Sequence, residues 1–420
     1  MAGRLCGMMR RSDFLRLSAA GLVAAALPAE ARLLGKRKVS LGIDRLVEDG
    51  FGALAGKRVG LVTNQSGVDG TGRKTRLVLH ESKAVNLVAL FAPEHGLDGV
   101  AVAGRKVASG RDRATGLPVH SLYGVTRKPT AEMLRGVDVL VFDMQDVGAR
   151  CYTYVSTMGL CMEAAGESGK EFVVLDRPNP LGGERIEGPP LERKWKSFVG
   201  MYSVPFVHGL TAGELAQMAN GEGWLASKVK LAVVKMGGWN RADPWPSTGL
   251  NWVRTSPNIP HRVSPFYYVA TGIAGHLAGT DVGTGTALPF EYATAAGVDP
   301  VAFARRLNSL KLGGVSFLPY SSGKKAQFGG ARMELDIEST TNLAALDVRL
   351  LMELHRALQA KGGSVFEGSS KSELDIFCKV YGSDRLRAEI EGGKPLEEIV
   401  GSWEAEVQEF RERRRRHLLY

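Results

Sequence analysis

Val137-Asp138-Val139-Leu140-Val141-Phe142 runs straight into Asp143-Met144-Gln145-Asp146. The first six residues are β-branched or apolar with hardly a polar interruption, which suits a strand buried on both faces. The next four are polar and suit the end of that strand. The same grammar recurs on either side. Arg58 to Thr63 (RVGLVT), Asn86 to Phe91 (NLVALF), Leu117 to Leu122 and Glu171 to Leu175 (EFVVL) read as further short strands. Helical stretches fall between them, at Lys74 to Glu81, Pro129 to Arg135 and Ser156 to Ser168. Apolar strands alternating with helices predict an α/β fold with a mostly parallel sheet covered on both faces.

Each strand stops at turn-forming polar residues: Asn64-Gln65, Pro93-Glu94-His95-Gly96, Ser121 to Tyr123, Asp143 to Asp146, and Asp176-Arg177-Pro178-Asn179. In an open parallel sheet the ligand lies beyond the carboxyl ends of the strands. Five polar clusters, distant in sequence, are therefore expected on one rim.

The second half is less periodic. Thr211 followed by Glu214 makes a capping box for a helix over 211–220. Trp239 to Pro265 reads as an ordered loop, and helices are expected over 300–309, 342–359 and 395–413. The division expected is an export signal over 1–31, a first domain over 38–262 and a second over 263–420 with a basic tail.

The 420 residues carry a formal net charge of +10 and 44% hydrophobic residues, enough for a core and against general disorder. Arg411, Arg413, Arg414, Arg415 and Arg416 concentrate charge at one end, which predicts a solvated tail. Elsewhere basic and acidic residues are interspersed with no aromatic-basic module, so nucleic acid is not an expected partner. Four cysteines (Cys6, Cys151, Cys161, Cys378) without a C-x-x-C exclude a disulfide scaffold and a zinc ribbon. Arg10-Arg11, the apolar run Leu17 to Leu27 and Ala29-Glu30-Ala31 resemble a twin-arginine-type export signal. An exported protein, periplasmic or extracellular, is expected. No later stretch is apolar enough for a membrane span, so no stable membrane insertion is expected after cleavage. Gly67 to Thr75 approaches a phosphate-binding loop but places Arg73 where the lysine belongs. There is no G-x-S-x-G and no H-E-x-x-H, and no metal ligand set is expected.

At the strand ends the chain resembles the exo-β-N-acetylmuramidase (NamZ-like) glycoside hydrolases. The segments that carry the resemblance are LVTNQSGVD (61–69), FAPEHGLDG (91–99), FDMQDVGARCYTYVSTMG (142–159) and VLDRPNPLGG (174–183). FVGMYSVPFVHGLTAGELA (198–216) and TGLNWVRTSPNIP (248–260) continue it. The resemblance implies a Rossmann-like catalytic domain, a smaller α+β domain after it and a site in the cleft between them. It also implies release of terminal N-acetylmuramic acid from the non-reducing end of peptidoglycan fragments, with no cofactor. One region departs from the family: in LAGTDVGTGTALPFE (277–291) Ala278 stands for an acid, Asp281 for an asparagine, and a loop arginine is missing. The alternative is therefore an exported muropeptide- or sugar-binding protein without turnover.

Glycoside hydrolysis ordinarily needs two carboxyl groups. By the resemblance Glu94 is the general acid/base, with His95 beside it to polarise it or bind a hydroxyl. Asp146 is preferred as the second carboxyl, with Asp143, Asp176 and Glu291 as alternatives. N-acetylmuramic acid carries a lactyl carboxylate, which calls for a cation such as a forked arginine, and Arg150 and Arg177 are the candidates. Tyr152, Tyr154, Trp239 and Trp252 offer faces for sugars. Asn64, Gln65, Gln145, Asn179, His208 and Asn258 supply the donors and acceptors that a hydroxyl-rich ligand requires.

Overall fold

The computed structural model describes residues 39–323, 325 and 327–420, so the export signal expected over 1–31 lies outside the described residues. From 38 onward the chain forms one compact unit. Its first sheet holds β1 (Arg58–Thr63), β2 (Asn86–Ala92), β3 (Gly110–Arg111), β4 (Pro118–Ser121), β5 (Val139–Asp143), β6 (Glu171–Leu175) and β7 (Lys230–Val234). The spatial order is β3-β4-β2-β1-β5-β6-β7, and only the short β3 runs antiparallel to its neighbour. Helices α1 (Gly42–Glu48), α2 (Thr75–Glu81), α3 (Thr153–Glu167) and α4 (Ala212–Gly221) accompany it.

Alternation along the strands fills two cores. Val139 and Val141 enter one, with Val59, Leu61, Val173 and Leu175, while Leu140 and Phe142 enter the other, with Val62, Phe172 and Val174. Both faces are dry, which explains why the strands are almost uninterruptedly apolar. Gly60 is needed in β1 because a Cβ there would stand 2.8 Å from the Phe91 ring and 2.9 Å from Leu140.

After α5 (Ser264–Thr271) comes a four-stranded antiparallel sheet of β8 (Thr280–Asp281), β9 (Tyr292–Ala296), β10 (Val315–Ser321) and β11 (Phe328–Leu335), in the order β10-β11-β9-β8. Packed with it are α6 (Pro300–Ser309), α7 (Leu343–Gln359), α8 (Lys371–Tyr381), α9 (Arg385–Glu391) and α10 (Leu396–Arg414). Ala293, Ala295, Ala331 and Met333 of this sheet join the same apolar cluster as Phe142 and Val174. The architecture is the expected one: a larger, mostly parallel sheet and a smaller antiparallel sheet with helices. Among the described residues no helix is long and apolar enough to cross a membrane.

Some elements differ from expectation. The helix expected over 129–135 is absent and residues 131–136 form turns: the segment is short, Thr130 Oγ1 takes the Met133 N–H at 3.3 Å, and Gly136 leaves at φ 84°. Helix α3 begins three residues earlier than its apolar pattern suggests. Strand β7 is a half-exposed edge and lacks the continuous apolar signature. The second sheet escapes a periodicity reading because β9 (YATAA) and the first half of β11 (FGGA) are built largely from Ala and Gly, so partners approach closely. The basic tail is docked in part. Arg414 is buried and donates to the carbonyls of Gly183, His208 and Gly209 at 2.8–3.1 Å, whereas Arg415 and Arg416 stay exposed. The Gly67–Thr75 turn is no phosphate cradle: Asp69 Oδ1 accepts from the Thr71 and Arg73 amides at 2.8 and 3.0 Å, using donors that a phosphate would need.

Candidate functional site

Strand register brings the polar ends level. Thr63 pairs with Asp143, Val62 with Phe91, Ala92 with Ser121, and Leu175 with Val234. The residues that follow these positions share the rim that the sequence predicts.

Glu94 lies on the turn after β2 and is 8% exposed. Its Oε1 accepts the Gly104 N–H at 2.8 Å, and its Oε2 accepts the Thr153 hydroxyl at 2.8 Å. One donor comes from the loop that folds back over the turn, the other from the first residue of α3. Two bonds on separate oxygens fix the carboxyl in one orientation. His95 has φ 69°, and its Nδ1 lies 2.7 Å from the Ala101 carbonyl oxygen, so it braces the same loop. The loop also covers Gln65: Gly99, at φ 69°, could not carry a Cβ, which would fall 2.1 Å from the Gln65 amide carbon.

Asp146 follows β5. Its Oδ2 accepts the Gly148 N–H at 2.7 Å, and its Oδ1 is buried without a partner. Burial raises its carboxyl to about 7, against the bonds from the Gly148 and Val147 amides. A similar lack of partners recurs along the rim. Asn64 Nδ2, Gln65 Oε1, Gln145 Oε1 and His208 Nε2 are also buried with no hydrogen-bond partner. Buried polar groups are normally paired, and these five share the strand ends while others, such as Trp195 Nε1 and Arg349 Nε, lie elsewhere. The remaining atoms of these side chains are held firmly. Asn64 Oδ1 takes Ser66 N at 2.9 Å, Gln65 Nε2 reaches Thr255 O at 2.7 Å, and Gln145 Nε2 reaches Pro178 O at 2.9 Å. His208 Nδ1 accepts the Leu210 N–H at 3.1 Å, and burial, then Arg414 and Arg150, lower this imidazole to about 3, so it stays neutral.

Several expected ligand groups serve the scaffold. Arg150 is 1% exposed, and its guanidinium donates to the carbonyls of Pro189, Val204, Val380 and Tyr381 at 2.7–3.1 Å. Arg177 forks onto Asp143 at 2.5 and 3.0 Å. Neither arginine is free to clamp a lactyl carboxylate, and Asp143 is occupied as the counterpart of Arg177. Tyr152 donates to Thr255 Oγ1 at 2.8 Å, Tyr154 to the Thr255 carbonyl, and the rings meet edge to face at 4.8 Å. They pin the 255 loop to α3 and do not present open faces. Asn179 holds Leu210 O and Leu181 N, each at 3.0 Å. Asn258 Oδ1 accepts the Gly285 N–H at 2.8 Å, so the departing 283–286 turn is tied to the 255–258 loop. Trp239 is buried against Tyr420, and Trp252 meets Trp245 edge-on at 4.9 Å. Asp176 takes Thr211, Gly213 and Tyr420, and Glu291 pairs with Arg332 at 3.0 Å.

In the departing loop, Ala278 N donates to Ser369 Oγ at 3.0 Å, and Asp281 accepts from the Tyr292 hydroxyl at 3.1 Å and the Gly283 amide at 3.1 Å. Asp281 thus fixes the turn internally. Among the described residues no group of three or more His, Cys, Asp or Glu side chains is arranged to hold a metal ion. Sequence reasoning missed Thr153 and Thr255. A threonine inside a motif carries no chemical signal of its own, and each matters only through a partner remote in the chain.

Comparison with known proteins bears on this arrangement. Residues 59–263 match the family described as "Exo-beta-N-acetylmuramidase NamZ, N-terminal", and residues 266–420 match its C-terminal counterpart. The chain is 42% identical over 393 residues to the peptidoglycan beta-N-acetylmuramidase NamZ of Bacillus subtilis (strain 168), covering 92% of each chain. A crystal structure of a DUF1343 family protein from Bacteroides fragilis superposes with a TM-score of 0.85 at 42% identity, covering 91% of this chain and 99% of that one. A second from the same organism gives 0.70 at 28% identity, with the same coverage of 91% and 99%.

Proposed function

This chain belongs to the NamZ exo-β-N-acetylmuramidase family, and from that premise we propose that it is an exported, periplasmic or extracellular glycosidase that acts on peptidoglycan-derived saccharides. It releases terminal N-acetylmuramic acid from the non-reducing end. Glu94 and Asp146 are its two carboxyl groups. The observation that carries the reading is the way Glu94 is held: both oxygens accept hydrogen bonds, from Gly104 and Thr153, at the open end of the parallel sheet.

The chemistry follows from the two environments. Glu94 is held in one orientation by its two donors, ready to exchange a proton with the glycosidic oxygen as the acid/base. Asp146, lifted to about 7 by burial, is the second carboxyl and is divided between its protonated and ionised forms near neutral pH. Two-carboxyl hydrolysis needs a group that gives a proton and a group that takes one. As the C1–O bond breaks, a proton passes to the leaving oxygen, water supplies the hydroxyl to C1, and the water's other proton returns to the carboxyl pair. Asn64, Gln65, Gln145 and His208 bring to the same strand ends the amide and imidazole groups that sugar hydroxyls and an acetamido group pair with.

The test uses a chromogenic β-glycoside of N-acetylmuramic acid and the disaccharide N-acetylmuramyl-N-acetylglucosamine. Wild type should release free N-acetylmuramic acid, and Glu94→Gln and Asp146→Asn should each lower kcat by at least ~100-fold. Binding with no release by wild type would instead establish a sugar-binding protein.

A further inference from the structure

With Arg150 and Arg177 engaged inside the scaffold, the carboxylate of the terminal sugar needs another cation. Arg127 lies on the exposed loop after Tyr123. Its guanidinium carbon stands 4.3 Å from the centroid of the Phe198 ring and 5.2 Å from that of Tyr123. The two rings are 6.0 Å apart and inclined at 43°, so the guanidinium is seated between them. No ion-pair partner is found for Arg127 among the described residues, whereas its neighbour Lys128 is bound to Glu167 at 2.7 Å.

Tyr123 links this cation to the catalytic carboxyl. Its backbone is fixed by Val107 N at 2.8 Å and Ser121 Oγ at 3.2 Å. Its phenol lies beside Glu94: burial, then the Glu94 charge and a hydrogen bond to it, raise the phenol above its ordinary value, while Arg127 opposes them. The register of β2 and β4, with Ala92 opposite Ser121, sets residues 94 and 123 level on the rim, so Glu94 and the guanidinium flank the same side chain. In a 3-O-lactyl pyranose the anomeric oxygen and the lactyl ether leave carbons two bonds apart, so a carboxylate site is needed close to the carboxyl that meets the glycosidic oxygen.

We propose that Arg127, seated on Tyr123 and Phe198, receives the lactyl carboxylate of the terminal N-acetylmuramic acid and so selects it over N-acetylglucosamine. The assignment rests on the exo-muramidase reading above. A stacked guanidinium is partly ordered before the ligand arrives, so less side-chain entropy is lost on binding. Its planar fork matches a carboxylate, and the two rings orient that fork.

The experiment compares wild type, Arg127→Gln and Arg127→Lys in two assays. One is kcat/KM on the chromogenic N-acetylmuramic acid glycoside; the other is calorimetric binding of free N-acetylmuramic acid and free N-acetylglucosamine. Arg127→Gln should lose roughly 10- to 100-fold in both the muramic glycoside kcat/KM and the binding of N-acetylmuramic acid. The kinetic loss should lie chiefly in KM. Binding of N-acetylglucosamine should change less than about threefold, and Arg127→Lys should fall between. An equal loss for both sugars, or no loss for either, would overturn the assignment. Arg127-dependent binding of N-acetylmuramic acid without hydrolysis by wild type would uphold the carboxylate site and refute the activity. Absence of both from wild type would refute both.

Discussion

Thr153 Oγ1 donates to Glu94 Oε2 at 2.8 Å, so the first residue of α3 fastens a carboxyl that leaves β2 59 residues earlier. The contact joins two strand ends of the same rim, and it makes Thr153 a positioning residue. A hydrogen bond to a charged group contributes about 1.5–3 kcal/mol. Thr153→Val should therefore lower kcat/KM by roughly 10- to 100-fold. Thr153→Ser, which restores the hydroxyl, should recover most of it. Thermal unfolding of both variants should stay close to wild type, which separates positioning from folding.

Asp146 should leave a pH signature on stability. Burial lifts it to about 7, and Asp347 and Asp176 to about 7 and about 6, from an ordinary 3.8. A raised carboxyl means that the folded state keeps its proton longer than the unfolded chain. Its stabilising share is complete below about pH 4 and is lost as the pH rises towards 7. Asp146→Asn cannot ionise, so its stability relative to wild type should rise between pH 5 and pH 8, by up to about 3 kcal/mol. Denaturant unfolding at the two pH values measures this. His208 and His276 act in the opposite direction: lowered to about 3 and about 4, they remove stability as the pH falls below about 6.5.

Arg150 should behave as a structural residue. Its guanidinium ties the end of α8 to the 189 and 204 segments through four carbonyls. Arg150→Met would leave those acceptors buried and unpaired, at about 1–3 kcal/mol each where water cannot reach. We expect a loss of at least about 3 kcal/mol in unfolding free energy. Arg150→Lys should not rescue it, because an ammonium cannot span the fork. A folded Arg150→Met protein with a raised KM alone would contradict this.

Tyr420 ties the carboxyl-terminal segment to the sheet. Its hydroxyl donates to Asp176 Oδ2 at 2.8 Å and accepts the Met236 N–H at 2.9 Å. Tyr420→Phe removes both bonds and should lower stability by about 1–2 kcal/mol, read as a shift of the urea midpoint with kcat unchanged.

Much of this was written in the chain itself. Strand patterns such as RVGLVT and EFVVL are local: their residues enter opposite cores by simple alternation, so a buried parallel sheet and the rim at its carboxyl ends could be read without coordinates. The Thr211–Glu214 capping box is equally local, and it forms. Side-chain employment was not legible. Arg150, Arg177 and Arg127 have the same chemistry, and only the fold decides that the first two spend their donors on Val380, Tyr381 and Asp143 while the third rests between Tyr123 and Phe198. The reason is physical. Secondary structure follows the spacing of neighbouring residues, whereas the role of a polar side chain depends on which distant atoms arrive within 3 Å, and that is settled only when the whole core has closed.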